Sequence, residues 1–287
     1  MKVLVVGATG MLGQMLFAIA RQQPGFDVYG TVRQKDERTL AFLRAEASRI
    51  FEYDVTTEVD PHLYCTPDIV VNCAGIIKQQ GNAKADVTYI RVNSLAPHLL
   101  AEQCDRVGAR LIQLSTDCVF SGRRGGYSEA DLPDPVDFYG RSKLAGEVTQ
   151  APHLTIRTSF IGFERFHNLG HSLLDWFIRQ KGEIKGYTRA MWSGLTSLEL
   201  AHVILALIQR PDVTGLIHIT SEKISKYDLL CLAQSVFGKI DVAIRPYDDY
   251  CCDRSLLSVR MADLGLRVPG VRQMLIDLHH YHERTHP

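Results

Sequence analysis

The chain opens with Lys2-Val3-Leu4-Val5-Val6 and passes at once into Gly7-Ala8-Thr9-Gly10-Met11-Leu12-Gly13, after which Leu12, Met15, Leu16 and Ile19 recur at helical spacing. A short apolar run that ends in glycines and resumes with a 3.6-residue period reads as buried strand, tight turn and helix. Glycines at these places allow close backbone approach, so that the free N–H groups of the helix start can hold a pyrophosphate. The spacing is G-x-x-G-x-x-G. Gly7, Thr9, Gly10, Met11, Leu12 and Gly13 are therefore read as a dinucleotide cradle, the alternative being a purely structural turn.

A second strand, Asp27 to Val32, ends at Arg33, where an NAD site usually carries an acid for the ribose 2′-hydroxyl. A guanidinium there can clasp a 2′-phosphate, which points to NADP(H); the alternative is a solvated surface arginine, and Lys35 and Arg38 are lesser helpers. Next come a short strand from Ile50 to Tyr53 with Asp54 and Val55 at its end, then Asp68-Ile69-Val70-Val71-Asn72-Cys73-Ala74-Gly75. The small residues Cys73, Ala74 and Gly75 would let the middle of the cofactor lie against the backbone, and Asp54 and Val55 are assigned to the same site. Val87 to Val107 is helical and carries Asn93 near its middle. That residue is either a core amide satisfied by backbone or an organiser of a proton path, and it is counted with the cofactor site. The strand Arg110 to Leu114 runs into Ser115-Thr116-Asp117, which sets hydroxyls at a strand's carboxyl end, where open α/β sheets bind ligands.

Tyr139 and Lys143 stand at i and i+4 of the next helix, on one face. An isolated phenol ionises near ~10, and an ammonium a few Å away favours the phenolate, so the pair is expected to lower the Tyr139 pKa and ease proton transfer. A sixth strand follows, Leu154 to Ile161.

Beyond Gly162 the rhythm changes: helices at Leu173 to Gln180, Ser197 to Gln209 and Ser225 to Phe237, a loop at Met191 to Thr196, a strand at Gly215 to Thr220, and a closing helix from about Val271. Residues 1–162, with 197–221 returning to them, are expected to form a dinucleotide-binding domain, and 163–196 with 222–287 a substrate lobe. The fold class expected is α/β, a doubly wound parallel sheet with a smaller α+β lobe. In that lobe Trp192 can stack on a base or sugar and Arg254 can pair with a diphosphate; by default both are packing or surface residues. His279, His280, His282 and His286 crowd the tail without a carboxylate or cysteine constellation, and are read as helix surface with no metal.

At 287 residues, 46% hydrophobic, with 32 basic against 32 acidic residues, the composition is that of an ordinary globular chain and favours neither nucleic acid nor membrane as a partner. The opening lacks a signal-peptide pattern and no run approaches the ~18 apolar residues of a membrane span, so a cytoplasmic protein is expected. The 7 cysteines are scattered without a C-x-x-C pair and are read as reduced thiols.

Gly7/Gly10/Gly13, Asn72-Cys73-Ala74-Gly75, Ser115-Thr116-Asp117 and Tyr139/Lys143 together resemble the extended short-chain dehydrogenase/reductase superfamily, of Rossmann fold. Leu114 to Gly122, Tyr127-Ser128-Glu129-Ala130-Asp131 and Tyr139 to Glu147 are similar to its dTDP-4-dehydrorhamnose reductase group. The likeness covers the first 160 or so residues well and is echoed by Ile156-Arg157-Thr158-Ser159 and Gly194-Leu195-Thr196. Cys118 stands where that group usually has tyrosine, and Ser255 follows Arg254 where proline is common. The resemblance implies that Thr116 hydrogen-bonds a substrate carbonyl, Tyr139 protonates its oxygen, and Lys143 holds the nicotinamide ribose, with Thr116 and Asp117 facing the substrate. It implies NADPH-dependent reduction of a nucleotide-linked 4-keto-6-deoxy sugar in deoxysugar or polysaccharide precursor biosynthesis, by a chain whose partner is a nucleotide-diphosphate sugar and for which a homodimer is left open. Two alternatives are carried, a nucleotide-sugar epimerase of the same superfamily and a non-catalytic NADP-binding regulatory subunit. A dehydratase is disfavoured, because Asp117 is followed by Cys118 and not by glutamate.

Overall fold

The computed structural model describes residues 1–55, 65–77, 85–166 and 172–285. A seven-stranded sheet organises the chain: β1 (Lys2–Val6), β2 (Asp27–Val32), β3 (Ile50–Glu52), β4 (Ile69–Asn72), β5 (Arg110–Thr116), β6 (Leu154–Thr158) and β11 (Gly215–His218). Its order is β11-β6-β5-β4-β1-β2-β3 and every pairing is parallel. Side chains of β1 alternate between two cores. Val3 and Val5 join a cluster with Leu16, Phe17, Ile204 and Leu275, whereas Leu4 and Val6 join one with Val70, Leu100 and Leu111. A strand buried on both faces needs helices on both faces. These are α1 (Met11–Ala20), α7 (Ser197–Ile208) and α10 (Val271–Thr285) on the first, and α4 (Ala96–Val107) on the second.

Strand order reverses between β1 and β4, and this places the crevice of a doubly wound sheet at the carboxyl ends of those two strands. The remaining elements of the sheet layers are α2 (Glu37–Leu43), α3 (Ala85–Tyr89), a π-helical segment Ile90–Leu95, and α5 (Phe138–Ala145).

The other elements are β7 (Phe160–Ile161), α6 (Leu173–Arg179), β8 (Gly182–Tyr187), β9 (Ala190–Trp192), β10 (Leu195–Thr196), β12 (Ile224–Ser225), α8 (Lys226–Val236), β13 (Val242–Tyr247), β14 (Cys252–Asp253) and α9 (Val259–Asp263). Two expectations are corrected here. Met191 to Thr196 is not a loop: β9 pairs with β12 and β14, and β10 pairs with β7. The strand read as Leu154 to Ile161 breaks at Ser159, whose carbonyl accepts the Leu195 N–H at 2.9 Å. Among the described residues no helix is long and apolar enough to cross a membrane.

Candidate active site

At the crevice Gly7 has φ +80°, in the left-handed region, and a Cβ there would come within 3.1 Å of the Ala74 backbone, so the β1 and β4 turns are in contact. A Cβ on Gly13 would overlap the Gly7 carbonyl oxygen. The turn is tied down by Thr31, absent from the sequence reading: its hydroxyl accepts from Gly7 N–H at 3.2 Å and its carbonyl from Ala8 N–H at 2.8 Å. Gly10 is the N-cap of α1 and supplies no side-chain oxygen, and no acid stands in the first turn. The orphan N–H groups and the positive end of the helix dipole are thus left for an anion. Of the cradle residues, Leu12 offers only backbone, since its side chain is core.

Arg33 is exposed directly beyond β2 and forms no ion pair among the described residues. Arg38 is engaged elsewhere, donating to the Phe166 carbonyl at 3.0 Å with its guanidinium over the Phe166 ring. Asp54 and Val55 follow β3, half-buried. Cys73 and Ala74 are fixed by Cys73 N–H to Val6 carbonyl at 3.0 Å and Ala74 N–H to Asn72 Oδ1 at 3.1 Å, and Gly75 remains exposed beside them. Burial pushes the Cys73 thiol up to about 12.

The sequence reading misses Asp137, which caps α5 by accepting from Gly140 N–H at 2.8 Å; a Cβ on Gly140 would overlap the Cys118 carbonyl, so glycine lets this helix close on the end of β5. There Tyr139 stands close enough to Thr116 for the threonine side chain to favour its phenolate, and the Thr116 hydroxyl donates to Asp117 Oδ1 at 3.1 Å and accepts from Cys118 N–H at 3.2 Å. The expectation that Lys143 lowers the Tyr139 pKa is corrected. Lys143 Nζ donates to the Leu114 carbonyl at 2.6 Å, and the phenol is held well above its ordinary range, first by burial, then by Cys118, with Asp117 and Asp137 adding and only Thr116 opposing. The i/i+4 spacing does align the two residues, but the long lysine finds a carbonyl at the β5 edge. Tyr139 is consequently a neutral phenol, the state of a proton donor. Burial lowers Lys143 to about 8, against the opposing pull of Glu147 and then Cys73.

Asn93 is also corrected as a cofactor contact. It is 1% exposed in the π-helical turn; its Oδ1 accepts from Ile76 N–H at 2.9 Å, and its amide hydrogens go to the Ile76 carbonyl at 3.0 Å and Ser142 Oγ at 3.1 Å. It pins the loop after β4 to the Tyr139 helix. Trp192 leaves no face for a sugar: it is 5% exposed in the main core and donates its indole N–H to Ser159 Oγ at 3.0 Å. Arg254, by contrast, does reach the site. Its Nε donates to the Phe120 carbonyl at 2.9 Å, its Nη1 lies 3.4 Å from Cys118 Sγ, and its charge opposes the burial that raises Asp117. Among the described residues no cluster of His, Cys, Asp or Glu could hold a metal. His279 packs on Phe237 and His282 on Phe163, so these two are packing residues and not plain helix surface; His286 lies outside the described residues. A cavity of about 380 Å³ between α1, α2 and α10 is remote from the Tyr139 helix.

Residues 1–251 match the model of the RmlD substrate binding domain family. The chain is 35% identical over 151 residues to dTDP-4-dehydrorhamnose reductase of Mycobacterium tuberculosis (strain H37Rv), 51% of this chain but only 44% of that protein, so it spans less than half the length of that relative. It is 29% identical over 251 residues to dTDP-4-keto-6-deoxy-D-glucose reductase of Streptomyces niveus, covering 85% of this chain and 81% of the relative. The fold matches the crystal structure of dTDP-4-dehydrorhamnose reductase from Bacillus anthracis in complex with NADP, with TM-score 0.77 and 24% identity over 98% of this chain and 99% of that one. With the crevice, the glycine turn and the Thr116–Tyr139–Lys143 group in one place and a family match over most of its length, the chain belongs to the RmlD substrate binding domain family.

Proposed function

We propose that the protein is an NADPH-dependent reductase that converts a nucleotide-linked 4-keto-6-deoxy sugar to the 4-hydroxy sugar. The observation that carries this reading is the placement of Tyr139 on α5 against Thr116 at the carboxyl end of β5, one helical turn from Lys143. NADPH, when bound, supplies hydride to the carbonyl carbon. Gly7, Gly10 and Gly13 let the β1 turn and the start of α1 close up so that the helix-start N–H groups can meet its pyrophosphate, whereas a methyl on Gly7 or Gly13 would run into the Ala74 backbone or the Gly7 carbonyl and spread that turn. Thr116 orients the carbonyl oxygen, Tyr139 delivers the proton that completes the hydroxyl, and Lys143 holds the nicotinamide ribose. Asp117 and Arg254 face the sugar and its diphosphate. The coarse layout, residues 1–162 with 197–221 for the cofactor and the rest for the substrate, belongs to the same proposal.

The test is to generate dTDP-, GDP- and UDP-linked 4-keto-6-deoxy sugars enzymatically and add this protein with NADPH. A product heavier by two hydrogens, with matching loss of NADPH absorbance, is expected. An isomer of unchanged mass would make the protein an epimerase; tight NADPH binding without any product would make it a non-catalytic dinucleotide-binding subunit.

Two further outcomes follow from the site. Arg33→Ala should raise the KM for NADPH by roughly 10- to 100-fold, the scale of a lost charged hydrogen bond, and leave NADH use unchanged. Equal use of both cofactors by the unaltered protein would reduce Arg33 to a surface residue. Lys143 gives the pH dependence: affinity for NADPH should fall as pH rises through about 8, where the ammonium is lost. Stability should move the other way. Between about 8 and the ordinary 10.5 the unfolded chain binds the proton that the folded one has released, so this group's contribution to stability rises with pH. Cofactor titrations and thermal melts over the same pH series separate the two trends.

A further inference from the structure

At one level of the sheet, register puts Ser115 of β5 beside Arg157 of β6, and Arg157 beside His218 of β11. All three are almost wholly buried. Glu147, just past the end of α5, closes this row. Its Oε1 accepts from Ser115 Oγ at 2.6 Å and Arg157 Nε at 2.7 Å, and its Oε2 accepts from Arg157 Nη2 at 2.7 Å. The Arg157 guanidinium also lies over the Phe120 ring. On the far side, His218 Nδ1 faces the carbonyls of Leu257 at 3.0 Å and Tyr127 at 3.2 Å, so Nδ1 carries the proton and Nε2 accepts from Arg157 Nη1 at 3.4 Å.

A buried ion pair is a poor device for stability alone, because well-packed apolar residues serve as well. The reason for this one lies a single residue away along β5. The Lys143 ammonium rests on the carbonyl of Leu114, and the Glu147 carboxylate rests on the hydroxyl of Ser115, so the two charges hang from adjacent residues of one strand end. Two titratable groups bear on Lys143 from the elements around it: Glu147 beyond α5, and Cys73 after β4, which burial keeps as a neutral thiol. Glu147 in turn faces Arg157, with the neutral His218 behind it.

We propose that Glu147 is a positioning residue of the site: clamped by Arg157 and Ser115, its carboxylate keeps Lys143 an ammonium, ready for the cofactor ribose. The consequence for catalysis rests on the reductase reading above; the electrostatic coupling does not. The Arg157 fork prevents the carboxylate from turning away, and Ser115 sets it one residue from Thr116, so the proton donor's partner and the lysine's counter-charge share one strand end.

The test is the pH dependence of Lys143 acylation by trace acetic anhydride, read by mass spectrometry, in the unaltered protein, in Glu147→Gln, and in Glu147→Gln/Arg157→Met. The double variant removes both buried charges, so it covers the case in which the single variant, with Arg157 left unpaired, fails to fold. Loss of the neighbouring carboxylate should move the Lys143 midpoint down, by about one pH unit in Glu147→Gln and by less in the double variant, which also loses the Arg157 charge, and the pH at which NADPH affinity is halved should follow. An unmoved midpoint in a folded variant overturns the proposal. A midpoint that drops in a protein that reduces no keto sugar keeps the coupling and removes the reductase reading.

Discussion

Tyr139→Phe is expected to leave NADPH binding intact and to cut turnover by ~100-fold or more, the scale of general acid catalysis. The substitution removes one oxygen and keeps a ring that packs edge-on to Tyr89. What is lost is the phenol that stands beside Thr116 at the β5 edge. The raised pKa sharpens the expectation: a phenol that stays protonated far above neutrality arms every molecule with its proton, so no alkaline limb from Tyr139 should appear between pH 6 and 9 in the unaltered protein, a window set by its ordinary value of ~10. Single-turnover consumption of NADPH, measured beside equilibrium binding, separates the two effects. Near-normal turnover with the phenylalanine would mean that another group delivers the proton, and Tyr139 would lose its role.

The parts of this site that could be read from the sequence are those set by local geometry. Glycines at 7, 10 and 13, small residues at 73 to 75, and tyrosine and lysine four apart each state their requirement within one turn of chain. The alternation through Val3, Leu4, Val5 and Val6 similarly announces a strand buried on both faces. What escaped the reading depends on distant neighbours. The direction of the Tyr139 shift is set by burial and by Cys118, which the β5 end brings against the helix. Trp192 looked like a loop aromatic because β9 is three residues long and is held by β12 and β14, more than thirty residues downstream in the case of β12. Asn93 could be narrowed to two roles by sequence, and only its contacts with Ile76 and Ser142 decide between them. Glu147 falls within the stretch that resembles the reductase group, yet its partners come from β5 and β6.

Gly13→Ala is expected to abolish cofactor binding while leaving a weakened fold. The new methyl would overlap the Gly7 carbonyl oxygen, a backbone atom that cannot swing aside as a side chain can. Helix α1 must then move away from the β1 turn, and the move takes with it the N–H groups that face the crevice. Overpacking of this kind costs typically ~1–3 kcal/mol, which lowers Tm by several degrees in a chain of this size. Binding is the more sensitive readout. In the unaltered protein, NADPH at 100 times its Kd should add about 2.7 kcal/mol of stability; with Gly13→Ala that gain should vanish. A control isolates the cause. Gly25 has φ +83° with nothing within 4 Å of a Cβ, so Gly25→Ala strains the backbone and lowers Tm without touching the cradle. If both variants keep the full response to NADPH, the glycine turn is not the cofactor site; if only Gly13→Ala loses it, the close approach of α1 to Gly7 is what the dinucleotide requires.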